Sequence, residues 1–185
     1  GDYARTRAGV RLVGQGASAK QVALYFADGT QMHDFRTLQD HAAPRTHSDL
    51  LFKGAVKDHA KSVYTGLIKI RDNADKSEAF QTNRNLTLSS GSWAESVPNL
   101  EIETNDVKCS HASTVGPVDD DQRFYLESRG IRPEIAERLV VFGFFADVIN
   151  RLPAAAQPDV LREKVGRKLL GDATRGATPE SGVRA

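Results

Sequence analysis

From Val10 to about Val115 the apolar residues come in short runs rather than at helical spacing. The runs are Val10 to Val13, Gln21 to Phe26, Ser48 to Ala55, Ser62 to Ile70, Asn85 to Leu88 and Leu100 to Thr104. Turn-forming residues separate them at Gly14, Gly16, Asp28-Gly29, Asp72-Asn73, Gly91 and Asn105-Asp106. Leu100 and Ile102 alternate with Glu101 and Glu103, and Val63, Thr65 and Leu67 alternate partly with Tyr64, Gly66 and Ile68, as strands with one dry face require. No amphipathic helix intervenes and no Asn-Gly hairpin signal occurs, so a coiled β architecture such as a β-helix competes with a sandwich.

After Pro117 the pattern changes to helical. Asp119, Asp120, Asp121 and Gln122 can cap and charge a helix start, Phe124, Tyr125 and Leu126 follow, and Gly130 can end it. Pro133 suits the first turn of a second helix, with Ile135, Leu139, Phe142, Phe145 or Ala146, and Ile149 at three- and four-residue spacing up to Pro153. Val140, Val141 and Phe144 widen its stripe almost all the way round. Burial of one large apolar side chain stabilises by roughly 1.5–3 kcal/mol, so this helix needs covers on two sides. A third helix from about Asp159 to Leu170, with Val160, Leu161, Val165 and Leu169 near one face, can supply one of them.

Composition narrows the class. The chain has 185 residues, 39% hydrophobic and 26% charged, with a formal net charge of +1. That is ordinary globular usage, with no sustained field favouring nucleic acid or an anionic membrane. No apolar run approaches the roughly 20 residues of a spanning helix, and the start GDYARTRAGV lacks a signal-peptide layout, which predicts a soluble, unexported chain. Cys109 is the only cysteine, so the chain forms no internal disulfide and cannot build a four-thiolate cluster site alone.

Cys109 and His111 are the residues most open to chemistry. On a strand they share a face with Val107, about 7 Å apart, where thiol and imidazole could both meet an iron atom or a substrate. The same placement suits a small buried hydrophobe and a hydrogen-bonded core or boundary histidine. A Cys-His nucleophile would need an orienting group and an oxyanion loop, and neither is recognisable. His33, His41, His47 and His59 show no metal-ligand spacing and read as surface or boundary residues. Gly14-Gln15-Gly16 lacks the third glycine and following helix of a phosphate loop and reads as a turn. The Asp119 to Asp121 run reads as a cap rather than a cation site.

Three strings go beyond composition: KDHAKSVYTGLIKIRDNADKSEAFQTNRNLTLS, LEIETNDVKCSHASTVGPVDDDQRFYLESRGI and ERLVVFGFFADVINRLP. In that order they resemble the C-terminal half of the SufB/SufD family over about Ser48 to Pro153, through Asp58-His59, the QTNRNL segment from Gln81 to Leu86, the KCSH turn and the FYLxSRGI helix end. Lys108-Cys109-Ser110-His111-Ala112 stands where SufB-type sequences carry His followed by Glu, and Gly91 to Pro98 lacks their sulfur-accepting cysteine, so the likeness is to the SufD type.

The resemblance implies a mainly β chain with an α C-terminal domain: a right-handed parallel β-helix over residues 1–117, shortened at its N-terminal end, a small helical domain over 118–170, and a disordered tail over 171–185. It implies a cytoplasmic scaffold subunit without catalysis of its own, paired through its β-helix with a SufB-type partner. A transient iron-sulfur cluster would form at their interface near His111, with Cys109 as a second candidate. Phe142, Phe144, Phe145 and Val148 on the helical domain would dock a SufC-type ATPase, and a flavin in the assembled complex is left open. Two other readings stay open: a stand-alone β-helix enzyme acting on carbohydrate, for which no aligned carboxylates or basic groups are evident, and a SufD-like protein kept for interaction alone.

Overall fold

The computed structural model describes residues 1–153 and 156–170, so the tail expected over 171–185 lies outside the described residues. Eight strands, β1 (Tyr3–Leu12), β2 (Ser18–Ala27), β3 (Met32–His41), β4 (His47–Val56), β5 (Lys61–Ile70), β6 (Glu78–Thr87), β7 (Trp93–Ile102) and β8 (Lys108–Gly116), precede three helices, α1 (Asp120–Glu127), α2 (Pro133–Arg151) and α3 (Pro158–Leu170). Odd strands form one parallel sheet in the order β1-β3-β5-β7 and even strands another in the order β2-β4-β6-β8. The chain therefore coils as a β-solenoid of about four turns, each with one strand per sheet. This settles the choice between coil and sandwich, since a sandwich would be built from antiparallel pairs.

Register is strict. Tyr3 pairs with Met32, Met32 with Lys61 and Lys61 with Trp93, offsets of 29, 29 and 32 residues. The corners repeat as well, with left-handed backbone at Gly16, Arg45 and Lys76 on one side. Gly16, Arg45 and Lys76 donate their amides to Pro44, Asp75 and Asp106 carbonyls in the neighbouring turn, so each corner is held by the next.

Strand β3 had no counterpart among the expected runs. Its inward residues His33, Phe35, Thr37, Gln39 and His41 follow the register of Ser62, Tyr64, Gly66, Ile68 and Ile70, and most are polar. His41 corrects the surface or boundary reading: it is fully buried. Its Nδ1 lies 2.7 Å from Thr46 Oγ1 and its Nε2 lies 2.7 Å from Ser48 Oγ. Gln39 Nε2 donates to the same Ser48 Oγ at 2.7 Å, so these three side chains bond to one another inside the solenoid. Asp40, on the opposite side of β3, takes Arg71 at 2.9 Å and Arg11 at 3.2 Å, tying three turns together.

Helices α2 and α3 cover the outer face of the even-strand sheet. Phe26 and Ala55 from the sheet join Val141, Phe145 and Ile149 of α2 and Val165 and Leu169 of α3 in one buried cluster, so the all-round apolar helix has the two covers it needed. Asp119 caps α1 as expected, its carboxylate accepting from the Asp121 and Gln122 amides, and Gly130 turns the chain beyond it at φ +83°. Lys53 is a polar pin under this layer. It is buried, donates to the Phe144 carbonyl at 3.0 Å and pairs with Asp147 at 2.9 Å.

Gly54 has no side chain because Tyr25 occupies that space: a Cβ there would lie 2.1 Å from the Tyr25 ring. Tyr25 is itself fixed by hydrogen bonds to Asn85 and Ser62. Gly54→Ala is expected to destabilise the chain by about 1–3 kcal/mol in urea unfolding, the usual cost of overpacking. Gly14→Ala, where a Cβ meets nothing within 4 Å, is expected to leave the midpoint unchanged.

Burial pushes the His41 and His33 imidazoles below the usual histidine range. The unfolded chain then takes up protons first as pH falls through about 6.5, so stability is whole above that pH and declines below it. Asp40, held below the usual carboxylate range by its hydrogen bond to Arg71, adds a second loss as pH falls from about 4 through its folded value. Urea midpoints should fall between pH 7.5 and 5.5, and His41→Gln, less stable at pH 7.5, should lose less over that interval.

Candidate functional site

A solenoid cannot satisfy its own ends. β7 pairs only with β5 and β8 only with β6, so both present an unpaired backbone edge at the last turn. Their inward side chains continue the interior columns: Ala94, Ser96, Pro98, Leu100 and Ile102 stand over Ser62, Tyr64, Gly66, Ile68 and Ile70. Cys109, His111, Ser113 and Val115 stand over Ala79, Gln81, Asn83 and Asn85. Ile68 and Ile70 are fully buried, whereas Leu100 and Ile102 are each 42% exposed and Val115 is 43% exposed. The last turn is thus an opened core: aliphatic side chains, two hydrogen-bonding edges and one histidine. Pro98 suits such an edge, since it has no amide to offer the ladder.

Val107 and Cys109 do share a face, and both pack on Ile68, Ile70, Ala74 and Ala79. Burial raises the Cys109 thiol above its usual range, which disfavours the thiolate form. His111 is exposed on the same face of β8 as Cys109. Lys108, on the other face of β8, pairs with Glu78 at 2.8 Å and stays clear of the column. No group of three or more His, Cys, Asp or Glu side chains among the described residues is arranged to hold a metal ion.

The helical residues divide. Phe145 and Val148 are fully buried in the chain's own core, while Phe142 and Phe144 are half-buried against it. Exposed apolar side chains here include Phe124 at 70% and Tyr125 at 56% on α1, Leu139 at 46% on α2 and Val160 at 40% on α3. A cavity of about 920 Å³ lies between α1, α2 and the sheet, lined among others by Tyr125, Leu139, Phe144 and Lys53. Phe124 and Tyr125 went unnoticed as surface candidates, although an eight-residue helix has little face on which to bury adjacent aromatics. No helix among the described residues is long and apolar enough to cross a membrane.

Comparison with known proteins agrees with this architecture. The family model described as the SufBD core domain of the SUF system for FeS cluster assembly matches residues 1–144, reaching further towards the N-terminus than the resemblance over about Ser48 to Pro153. An iron-sulfur cluster assembly SufBD family protein of Mycobacterium tuberculosis is 46% identical over 173 residues, covering 89% of this chain and 43% of that protein. The iron-sulfur cluster assembly protein SufD of Bacillus subtilis is 37% identical over 158 residues, with 85% of this chain and 36% of that protein covered. The SufD of Escherichia coli is 32% identical over 173 residues, covering 94% of this chain and 41% of its own length. The chain therefore spans about two fifths of the curated relatives it matches. With a parallel solenoid, a helical layer and a family match over most of its length, the chain belongs to the SufBD core-domain family of the SUF iron-sulfur cluster assembly system.

Proposed function

We propose that the chain acts as the SufD-type scaffold of a cytoplasmic cluster-assembly complex, without catalysis of its own, and that the open last turn is where a SufB-type partner pairs with it. The observation that carries this reading is the coincidence, on one turn, of two unpaired strand edges, exposed Leu100, Ile102 and Val115, and His111. Edge strands recruit strands, and a partner with a similar open end would complete both ladders while burying both aliphatic patches. His111 would then lie inside the joint, where its neutral imidazole is a competent iron ligand.

The nascent iron-sulfur cluster is cargo here, and the remaining ligands come from the partner chain. Cys109 is the weaker candidate of the pair, because its side chain is packed against the Ile68, Ile70, Ala74 and Ala79 cluster and burial disfavours its thiolate. A histidine among thiolate or sulfide ligands makes a mixed site that can release its cluster. No residue of this chain is assigned to a flavin.

Residues 118–170 serve as the docking unit for a SufC-type ATPase, and residues 1–117 as the pairing unit. Phe145 and Val148 are occupied by the core and Phe142 lies against Gly166 of α3, so the contact falls to Leu139, Tyr125 and Phe124, with Phe144 as its inner wall. ATP-driven movement of the helical layer would be felt at the sheet through Lys53, which holds Phe144 and Asp147.

Iron and acid-labile sulfide, measured anaerobically in the longer protein co-purified with its SufB-type and SufC-type partners, test the reading. His111→Ala should leave the complex intact and reduce cluster content at least about tenfold, the loss of one metal ligand or its support. Leu139→Asp should release the ATPase and keep the SufB-type partner. Unchanged cluster content in His111→Ala would make the subunit a structural partner only.

A further inference from the structure

The column beneath His111 holds a second residue with unused hydrogen-bonding capacity. Gln81 is the register partner of His111 in the parallel β6–β8 pair, so the two side chains leave the sheet on the same side, one strand spacing of about 4.8 Å apart. Gln81 is only 2% exposed, yet its Oε1 has no hydrogen-bond partner. Its neighbours along the inward face of β6 differ: Asn83 Nδ2 donates to the Phe52 carbonyl at 3.3 Å, and Asn85 Nδ2 donates to Asn83 Oδ1 at 2.8 Å. A buried acceptor without a donor is costly and calls for an explanation.

Gly66 shows how the carboxamide is held. A Cβ on Gly66 would lie 2.4 Å from Gln81 Nε2 and 2.6 Å from Oε1, so the amide group reaches across the interior and rests against β5 where that strand has no side chain. Its depth is set by the opposite sheet. Gln21 and Gln39 also carry a buried, unpartnered Oε1, but the residues that follow them in register are Leu50 and Ile68. Only at Gln81 does an imidazole stand on the next turn, and it belongs to the open end.

We propose that Gln81 is a positioning residue for His111: its carboxamide oxygen accepts the N–H of one imidazole nitrogen, fixes the tautomer, and leaves the lone pair of the other nitrogen facing the open end. Histidines that bind metals commonly donate their second ring N–H to a carbonyl or carboxylate, which sets ring orientation and raises basicity at the binding nitrogen. Gln81 supplies that carbonyl from within this chain. The inference rests on the reading of His111 as a cluster-facing ligand, but the contact itself can be tested without a cluster.

The test is the ¹⁵N spectrum of the His111 imidazole in the 185-residue chain, recorded at pH 8. Wild type should show one dominant tautomer, with the two ring nitrogens widely separated. Gln81→Met should shift the tautomer ratio by about fivefold towards the mixture of free imidazole, the population equivalent of one ordinary hydrogen bond. Gly66→Ala, whose methyl would press on the carboxamide without removing it and also on the Tyr64 hydroxyl, should do the same, and it decides the matter if Gln81→Met fails to fold. Gln81→Glu, which keeps an acceptor, should retain the single tautomer. Ring shifts unchanged in a natively folded Gln81→Met or Gly66→Ala chain, or a free-imidazole mixture in wild type, would overturn the proposal. A preserved tautomer effect beside unchanged cluster content in His111→Ala would instead uphold the contact and sink the functional reading.

Discussion

Everything in this molecule depends on parallel, in-register pairing between a strand and the one about a turn later in the chain. That pairing satisfies the backbone of β3, β4, β5 and β6 on both edges, stacks like positions into columns, and propagates by nearest-neighbour contact. It cannot satisfy its own ends. The final turn exposes what the earlier turns bury, and the apolar surface, backbone edges and histidine found there follow from the architecture. The helices do not relieve this, because they lie on the outer face of the even-strand sheet and cover Phe26 and Ala55.

Inside the columns the solenoid tolerates polar residues where they meet one another. Thr46, Ser48, Gln39 and His41 form one buried group, and Tyr64 and Thr37 share a hydrogen bond of 2.8 Å. This explains what could and could not be read from the sequence. β2, β4, β5 and β7 announce themselves by apolar residues, whereas β3 places Thr37, Gln39 and His41 inside and so lacks the alternation that marks a strand. The repeat was hidden for a related reason. Its offsets drift between 29 and 32 residues, and the columns do not carry the same residue type from turn to turn. The helices were legible because their limits are chemical: Asp119 caps, Pro133 starts and Gly130 reverses the chain.

At the site, alternation alone placed Val107, Cys109 and His111 on one face, and packing agrees for Val107 and Cys109. The position of His111 at the end of the stack depends on which strand comes last, a fact that only topology supplies. The helical surface was harder. A helix apolar on nearly every side gives no phase, so the choice of Phe145 and Val148 for the core and of Leu139 for solvent is made by the sheet beneath and by α3. Gln81 was legible only as part of a family-like string; its unpaired oxygen and its place under His111 emerge from register.

The central claim is that the open last turn is the pairing surface. Backbone hydrogen exchange of the longer protein, with and without its SufB-type partner and then with the SufC-type ATPase, addresses it most directly. The account predicts that the partner slows exchange in β7 and β8, that the ATPase slows it in α1 and α2, and that neither alters the outer face of β3. Protection by the SufB-type partner confined to the outer face of the odd-strand sheet, with β7 and β8 exchanging as in the free protein, would contradict it.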